Sequence, residues 1–380
     1  MVLGSVKIIH IHTNLNFVYL TDICKGEDID NQIFFIGDSL TEKSRNDNNL
    51  VFFQNSKTAI SEIVSRCNNA DIVILYDLDT LKSRIANKIR KDIVVIWRFF
   101  GYELYSRMPQ FALSILTVQA LRNNDVKAVI HKKFSNIHRK IFKEFNEKFI
   151  EQRLFKNAIK RTNYFFGLME SEYQLLKSAW PILPQFLQHP YDLKFNELQT
   201  DETEKNFIIV GNSRSVYNNH LEILEIIKAA DGKGNHTFLV PFNYGGENRY
   251  TALVKSEAGK LKQVKLLEDF LPLEDYRKFF DKAVAFVLNG ERQMAMGNIF
   301  ESLEKNLKIY LNGNGMIASF LKDEGFKIFT ISDFADDLNK NNLKLAVEDS
   351  VHNAKQLEAL SRKYSVEQFQ LKLFQLCKNR

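Results

Sequence analysis

The feature that most constrains this chain is a series of short apolar runs, each closed by a polar residue, a glycine or a proline, with segments of helical spacing between some of them. Val6 to Ile11, Ile33 to Ile36, Leu50 to Phe53, Ile72 to Tyr76 and Ile93 to Trp97 are such runs in the N-terminal part. Tyr164 to Gly167, Phe207 to Val210, Phe238 to Val240 and Ala283 to Leu288 continue the theme, with further strand character near Val264, Leu307 and Phe326. A run that is apolar at nearly every position is buried on both faces, as a strand is in a parallel sheet covered by helices. Thr58 to Cys67 and Asp79 to Lys91 read as helices between runs, and a long helical region is expected from about Gln110 to Lys160. The pattern predicts an α/β chain with doubly wound parallel sheets.

A chain of 380 residues is long enough for two such domains. The polar, acidic stretch 189–205 reads as the linker between an N-terminal domain, 1–188, and a C-terminal domain, 206–355, with 356–380 a closing helix. The three cysteines, Cys24, Cys67 and Cys377, are far apart and match no zinc or C-x-x-C spacing, so reduced thiols are expected. No stretch has the ~18 apolar residues of a membrane span, and the first residues lack the pattern of a signal peptide. The expected location is the cytoplasm.

In the C-terminal half three strand ends deliver polar loops. Ala283 to Leu288 is broken by Asn289 and Gly290, and Arg292, Gln293, Met296, Gly297, Asn298 and Glu301 follow where a helix opens. A helix N-terminus presents unpaired N–H groups and the positive end of a dipole, so Gly297 and Asn298 are expected to seat a diphosphate with Arg292 adding charge. Glu301 is placed to accept from donor hydroxyls, although an acid in the first turn is also what the dipole favours. Phe207 to Val210 ends in Gly211, Asn212 and Ser213, with Asn219 and His220 opening the next helix. Phe238 to Val240 ends at Pro241 and leads to Tyr244, Gly245 and Tyr250. Ligands of open α/β sheets bind at the carboxyl ends of strands.

These motifs, G-N-S with a following Asn and N-H, V-P with a downstream Tyr and Gly, and R-Q followed by M-G-N, resemble those of the bacterial transferases that move 4-acetamidofucose from a TDP-sugar to a lipid-linked saccharide. The resemblance covers roughly residues 205–335. It implies a GT-B fold, with two Rossmann-like domains facing across a cleft and the C-terminal one holding the nucleotide sugar. It also implies a polyprenyl-diphosphate-linked acceptor in surface polysaccharide synthesis, with no cofactor beyond the donor itself. Two other classes stay open: a sugar-nucleotide epimerase of the same shape, and a non-catalytic nucleotide-binding protein.

The N-terminal domain is then the acceptor side and the source of a base. Candidates at its strand ends are His10 and His12, Asp77 and Asp79, and Arg98 to Glu103, with Glu103 and His12 leading and Asp77 third. Each also has a structural reading: a core histidine, a helix cap, or Glu103 paired with Arg98 or Arg107. The D-x-D spellings at Asp28-Ile29-Asp30 and Asp77-Leu78-Asp79 are short enough to arise by chance, and metal-independent activity is expected.

Charge concentrates in one place. From Lys127 to Arg161 eleven Lys and Arg face three Glu, giving +8 and leaving −2 for the rest of a chain whose total is +6. Phe134, Ile137, Ile141, Phe142, Phe145, Phe149 and Phe155 interleave with them. Lys132, Lys133, Arg139, Lys140 and Lys143 are the expected contacts to the anionic inner-membrane surface, the alternative being a solvated face above core aromatics. No nucleic-acid recognition motif accompanies the patch.

Overall fold

The computed structural model describes residues 5–39, 49–105, 107–108, 113–122, 137–191, 193, 205–230 and 236–378, without the side chains of 16, 122 and 137–148. Contacts divide the chain into two compact units.

The first unit is built on seven strands: β1 (Val6–His12), β2 (Ile29–Gly37), β3 (Leu50–Gln54), β4 (Ile72–Tyr76), β5 (Val94–Arg98), β6 (Tyr164–Gly167) and β7 (Gln185–Gln188). They pair in the order β3-β2-β1-β4-β5-β6-β7, every pair parallel. β4 and β5 are buried at every position, as their uninterrupted apolar runs require. Helix α1 (Lys57–Cys67) starts where Ser56 accepts from the Ala59 N–H and buries Ile60, Ile63 and Cys67. Helix α2 (Thr80–Ala86) starts at Asp79, which accepts from the Lys82 N–H, and stops at Asn87, short of the Lys91 expected from periodicity. A short helix, α3 (Tyr102–Tyr105), follows β5. β7 went unread in the sequence because Q-F-L-Q, with its exposed first residue, lacks an apolar run. A ten-residue 3₁₀ segment, Leu15–Cys24, was likewise not expected.

The second unit carries β8 (Phe207–Val210), β9 (Thr237–Pro241), β10 (Val264–Leu267), β11 (Ala283–Leu288), β12 (Lys308–Leu311) and β13 (Phe329–Thr330), in the parallel order β10-β9-β8-β11-β12-β13. The long helical region expected after Gln110 is not one helix among the described residues. Its first piece, α4 (Ile115–Arg122), packs on the second unit against α7 (His220–Ala229) and α8 (Arg249–Ala258), although it lies inside the span assigned to the N-terminal domain. Glu222 draws it there by accepting from the Leu116 and Thr117 N–H groups at 2.9 and 3.2 Å. The second piece, α5 (Ile137–Arg161), belongs to the first unit, and there Phe155, Ala158 and Ile159 are core residues while Phe149 and Ile150 are exposed. α6 (Glu170–Ala179) joins β6 to β7.

The expected closing helix is divided at Tyr364 and Ser365 into α13 (Val347–Lys363) and α14 (Val366–Lys378). Phe369, Leu373 and Leu376 of α14 join the first unit's core with Ile8, Ile74, Ile96 and Phe166. Among the described residues no helix is long and apolar enough to cross a membrane. The Cys24 and Cys67 thiols are buried and free, and burial pushes Cys67 up to about 12, which makes it inert.

Candidate functional site

Both sheets have a topological switch point, where consecutive connections leave in opposite directions and a crevice opens at the strands' carboxyl ends. In the second sheet it lies between β8 and β11, and in the first between β1 and β4. Most of the residues singled out in the sequence stand at these two places.

In the second unit, Gly211 leaves β8 with φ +71° and donates its N–H to the Val287 carbonyl at 2.8 Å. A Cβ there would meet His220 Nε2 at 2.8 Å and Asn218 Oδ1 at 2.9 Å, so only glycine fits. Asn218, not named among the sequence candidates, organises the loop. Its Nδ2 donates to the Ser213 carbonyl at 2.9 Å and Ser213 Oγ at 3.2 Å, while its Oδ1 accepts from the Asn212 N–H at 3.2 Å. Asn219 adopts φ +48° and is buried: its Nδ2 donates to the Asn289 carbonyl at 2.8 Å and its Oδ1 accepts from the Ser114 N–H at 3.0 Å. Its amide joins the β8 loop to the β11 loop. His220 is buried against Tyr250, whose hydroxyl accepts from the His220 N–H at 2.8 Å and lies 3.1 Å from Nδ1. Burial lowers the His220 imidazole to about 3, so it is neutral and supports the loop from beneath.

The β11 loop faces this one. Arg292 lies over the Tyr217 ring, 4.0 Å from its centroid, which ties the cation to the β8 loop. Gln293 is half-buried beside it. Helix α10 (Met296–Glu304) opens at Ala295, in φ +56°, with no side chain capping its first turn. The Met296, Gly297 and Asn298 end therefore leaves main-chain N–H groups without a side-chain cap, and a Cβ at Gly297 would meet nothing within 4 Å. Two side chains expected to touch the donor are occupied. Asn298 Nδ2 donates to the Tyr276 hydroxyl at 2.8 Å, and Glu301 pairs with Arg277 at 3.0 Å. Pro241 is buried at the end of β9, and Tyr244 is exposed beyond it on a turn containing Gly245 at φ +114°.

In the first unit, His12 ends β1, Asp77 follows β4, and Glu103 stands on α3 just after β5, on three neighbouring strands. Lys82, missed in the sequence, sits at 0% exposure with its ammonium 2.8 Å from Asp77 Oδ1, 2.7 Å from Asp79 Oδ2 and 2.6 Å from Thr13 Oγ1. The D-L-D pair thus holds a lysine ammonium. Among the described residues no group of three or more His, Cys, Asp and Glu is arranged to hold a metal. Asp77 adopts φ +71°, a conformation rare outside glycine, and also receives the Tyr102 hydroxyl. Burial raises its carboxyl above the usual range, with Lys82 pulling against that.

Glu103 is buried, with Oε1 accepting from Trp97 Nε1 at 3.2 Å and the Phe100 N–H at 3.3 Å, and Oε2 without a hydrogen-bond partner. Burial foremost raises its carboxyl from 4.5 to about 7. It is not paired with an arginine: Arg107 donates to its main-chain carbonyl instead. His10 is a core histidine bonded to Tyr76 and Asn31. His12 stacks on Tyr76 at 3.9 Å, and burial, His10 and Lys82 hold it neutral far below the usual imidazole range. Such an imidazole is a weak base at neutral pH. Lys132 and Lys133 lie outside the described residues, as do the side chains of Arg139, Lys140 and Lys143 on α5.

No protein-family model matches the sequence, and no curated protein does. Solved structures do share its fold. Anabaena HepE, in complex with UDP and glucose, is 12% identical, with a TM-score of 0.66 over 99% of this chain and 100% of that one. A UDP-forming α,α-trehalose-phosphate synthase from Burkholderia vietnamiensis is 7% identical, with a TM-score of 0.64 over 99% and 100%. The lipopolysaccharide outer core galactosyltransferase WaaB is 13% identical, with a TM-score of 0.55 over 98% and 99%. At these identities the likeness is one of fold: two parallel-sheet α/β domains of the GT-B type.

Proposed function

We propose that this protein is a glycosyltransferase taking its sugar from a nucleoside-diphosphate donor bound by the second unit. The observation that carries the reading is the β8–β11 switch point, where the Gly211 loop, Arg292 and the uncapped start of α10 converge. HepE, of the same fold, is recorded with UDP and glucose. In the reaction the acceptor hydroxyl attacks the anomeric carbon and the bond to the diphosphate breaks with its electron pair leaving on phosphate. The hydroxyl proton passes to a carboxylate base, the role we assign to Glu103. Main-chain N–H groups at Met296–Asn298 and the Arg292 guanidinium take up the charge on the leaving group. Arg292→Ala is expected to weaken UDP and TDP binding by about 2–4 kcal/mol. Calorimetry checks this, and unchanged affinity in a folded variant removes Arg292 from the site.

For the finer identity, the motifs at Gly211–Ser213, Asn219, His220 and Arg292–Asn298 favour a 4-acetamido-6-deoxyhexose moved to a polyprenyl-diphosphate-linked saccharide in bacterial surface polysaccharide synthesis. A cytoplasmic enzyme must then meet its acceptor at the inner membrane. The +8 stretch from Lys127 to Arg161 supports docking there, with Phe149 and Ile150 exposed on α5. Exchanging Lys132, Lys133, Arg139, Lys140 and Lys143 for Gln is expected to release the protein from phosphatidylglycerol liposomes without changing UDP affinity. Equal cosedimentation of variant and parent defeats the membrane reading.

A further inference from the structure

Among its described residues the first unit contains two buried cations in very different circumstances. Lys82 is surrounded by two carboxylates and a hydroxyl. Arg98, 5% exposed at the end of β5, has no ion pair among the described residues. One Nη1 donates to the Phe99 carbonyl at 2.7 Å and the Phe166 carbonyl at 3.4 Å, while Nε finds no acceptor. The guanidinium lies between the Phe100 and Phe166 rings, 5.2 and 5.6 Å from their centroids. Glu172 and Glu103 act on it only through space, and burial lowers it to about 10, still protonated at neutral pH. A buried charge is costly to retain unless something of opposite sign meets it.

A second unsatisfied group adjoins it. His189, just after β7, stacks on the same Phe166 ring at 4.8 Å. Its Nδ1 donates to the Pro190 carbonyl, so in the neutral ring Nε2 carries the lone pair, and that atom is buried with no partner. Burial and the Arg98 charge together keep the ring unprotonated. Arg98 pairs in register with Tyr76 of β4, on which His12 stacks at the β1–β4 switch point, so this pair of groups borders the place where the first unit's ligand is expected. Phe17 of the Leu15–Cys24 segment stacks on Phe100 at 5.0 Å. A 3₁₀ run of that length has poorer hydrogen bonds than an α-helix and yields at less cost.

We propose that Arg98, with His189 beside it, binds a phosphate or diphosphate group carried by the molecule that accepts the sugar. The inference rests on the transferase reading for the word acceptor, and on the unpaired guanidinium alone for the anion. A planar guanidinium matches phosphate oxygens through two parallel N–H donors, and His189 protonates once an anion offsets the neighbouring cation.

The test titrates three probes, pyrophosphate, farnesyl diphosphate and glucose 6-phosphate, into the whole protein with UDP present to fill the donor site. Arg98→Met is expected to lose affinity for the bound probe by roughly tenfold or more. Without any probe it is expected to melt no lower than the parent, because it removes an uncompensated charge. Tighter binding of farnesyl diphosphate than of pyrophosphate identifies a lipid-linked anion, and tighter binding of glucose 6-phosphate a phosphorylated sugar. Equal affinity of Arg98→Met and parent, or no binding of any probe by the parent, overturns the proposal. Should Arg98→Met not fold, the His189 Cε1–H resonance of the unaltered protein decides: it shifts on addition of pyrophosphate, and a resonance that stays fixed is the contrary result. UDP affinity is read separately, so failure of the donor reading leaves the anion result intact.

Discussion

Glu103→Gln is expected to slow sugar transfer by about 10²–10⁴-fold while leaving UDP affinity at the parental value. The amide keeps the size of the side chain and can still accept from Trp97 Nε1 and the Phe100 N–H, so the loss falls on the proton transfer. The parent's rate should climb as pH rises through about 7, where Glu103 gives up its proton. Stability should move the other way. A carboxyl raised from 4.5 to about 7 by folding stabilises the native state fully below 4.5, and that contribution is lost as pH rises through 7. The cost of ionising it in place amounts to about 3 kcal/mol well above pH 7. Glu103→Gln should therefore melt higher than the parent at pH 8 and show little difference at pH 4. A variant with the parental rate, or one whose melting difference is independent of pH, contradicts the role given to Glu103.

The second large effect separates two glycines. Gly211→Ala is expected to destabilise the protein by about 2–4 kcal/mol, because a methyl group in the left-handed region also collides with two buried side chains. Neither can give way: Asn218 is held by Ser213 and the Asn212 N–H, and His220 is held by Tyr250. Gly297→Ala should do the opposite. Its methyl enters open space in the first turn of α10, and alanine is the better helix former by up to ~1 kcal/mol, so the melting temperature should hold or rise. The same methyl stands where a diphosphate would approach the main chain, so UDP binding should weaken even so. Thermal melts and calorimetry on the pair check both halves. A Gly297→Ala protein that binds UDP as the parent does places the diphosphate elsewhere.

What could be read in advance follows from burial. The core strands β1, β4, β5, β8 and β11 announce themselves because both of their faces are covered, and the Gly and Asn residues that end them mark where side chains emerge. β7 and β13, at the sheet edges, lack that continuity. The assignment of Ile115–Arg122 to the second unit depends on a Glu222 contact about a hundred residues away, which no local pattern encodes. Within the sites, residue type was legible and partnership was not. Asp77 reads as a candidate base and both Asp77 and Asp79 as helix caps, and only the fold shows that the two share the Lys82 ammonium. The Asn218-Asn219 doublet reads as one polar turn, yet one member organises the Gly211 loop and the other fastens it to Asn289. Asn298 and Glu301 sit on the right helix, but Tyr276 and Arg277 claim their side chains.

The central claim, transfer from a nucleotide sugar, is tested most directly by mass spectrometry of the protein incubated with a panel of UDP- and TDP-sugars and a membrane lipid extract. Growth of a lipid-linked product by one sugar mass, with release of one equivalent of UDP or TDP, is the result expected. Conversion of a nucleotide sugar to an isomer with no mass gained by any acceptor, or no turnover of any donor by a protein that binds UDP, contradicts it.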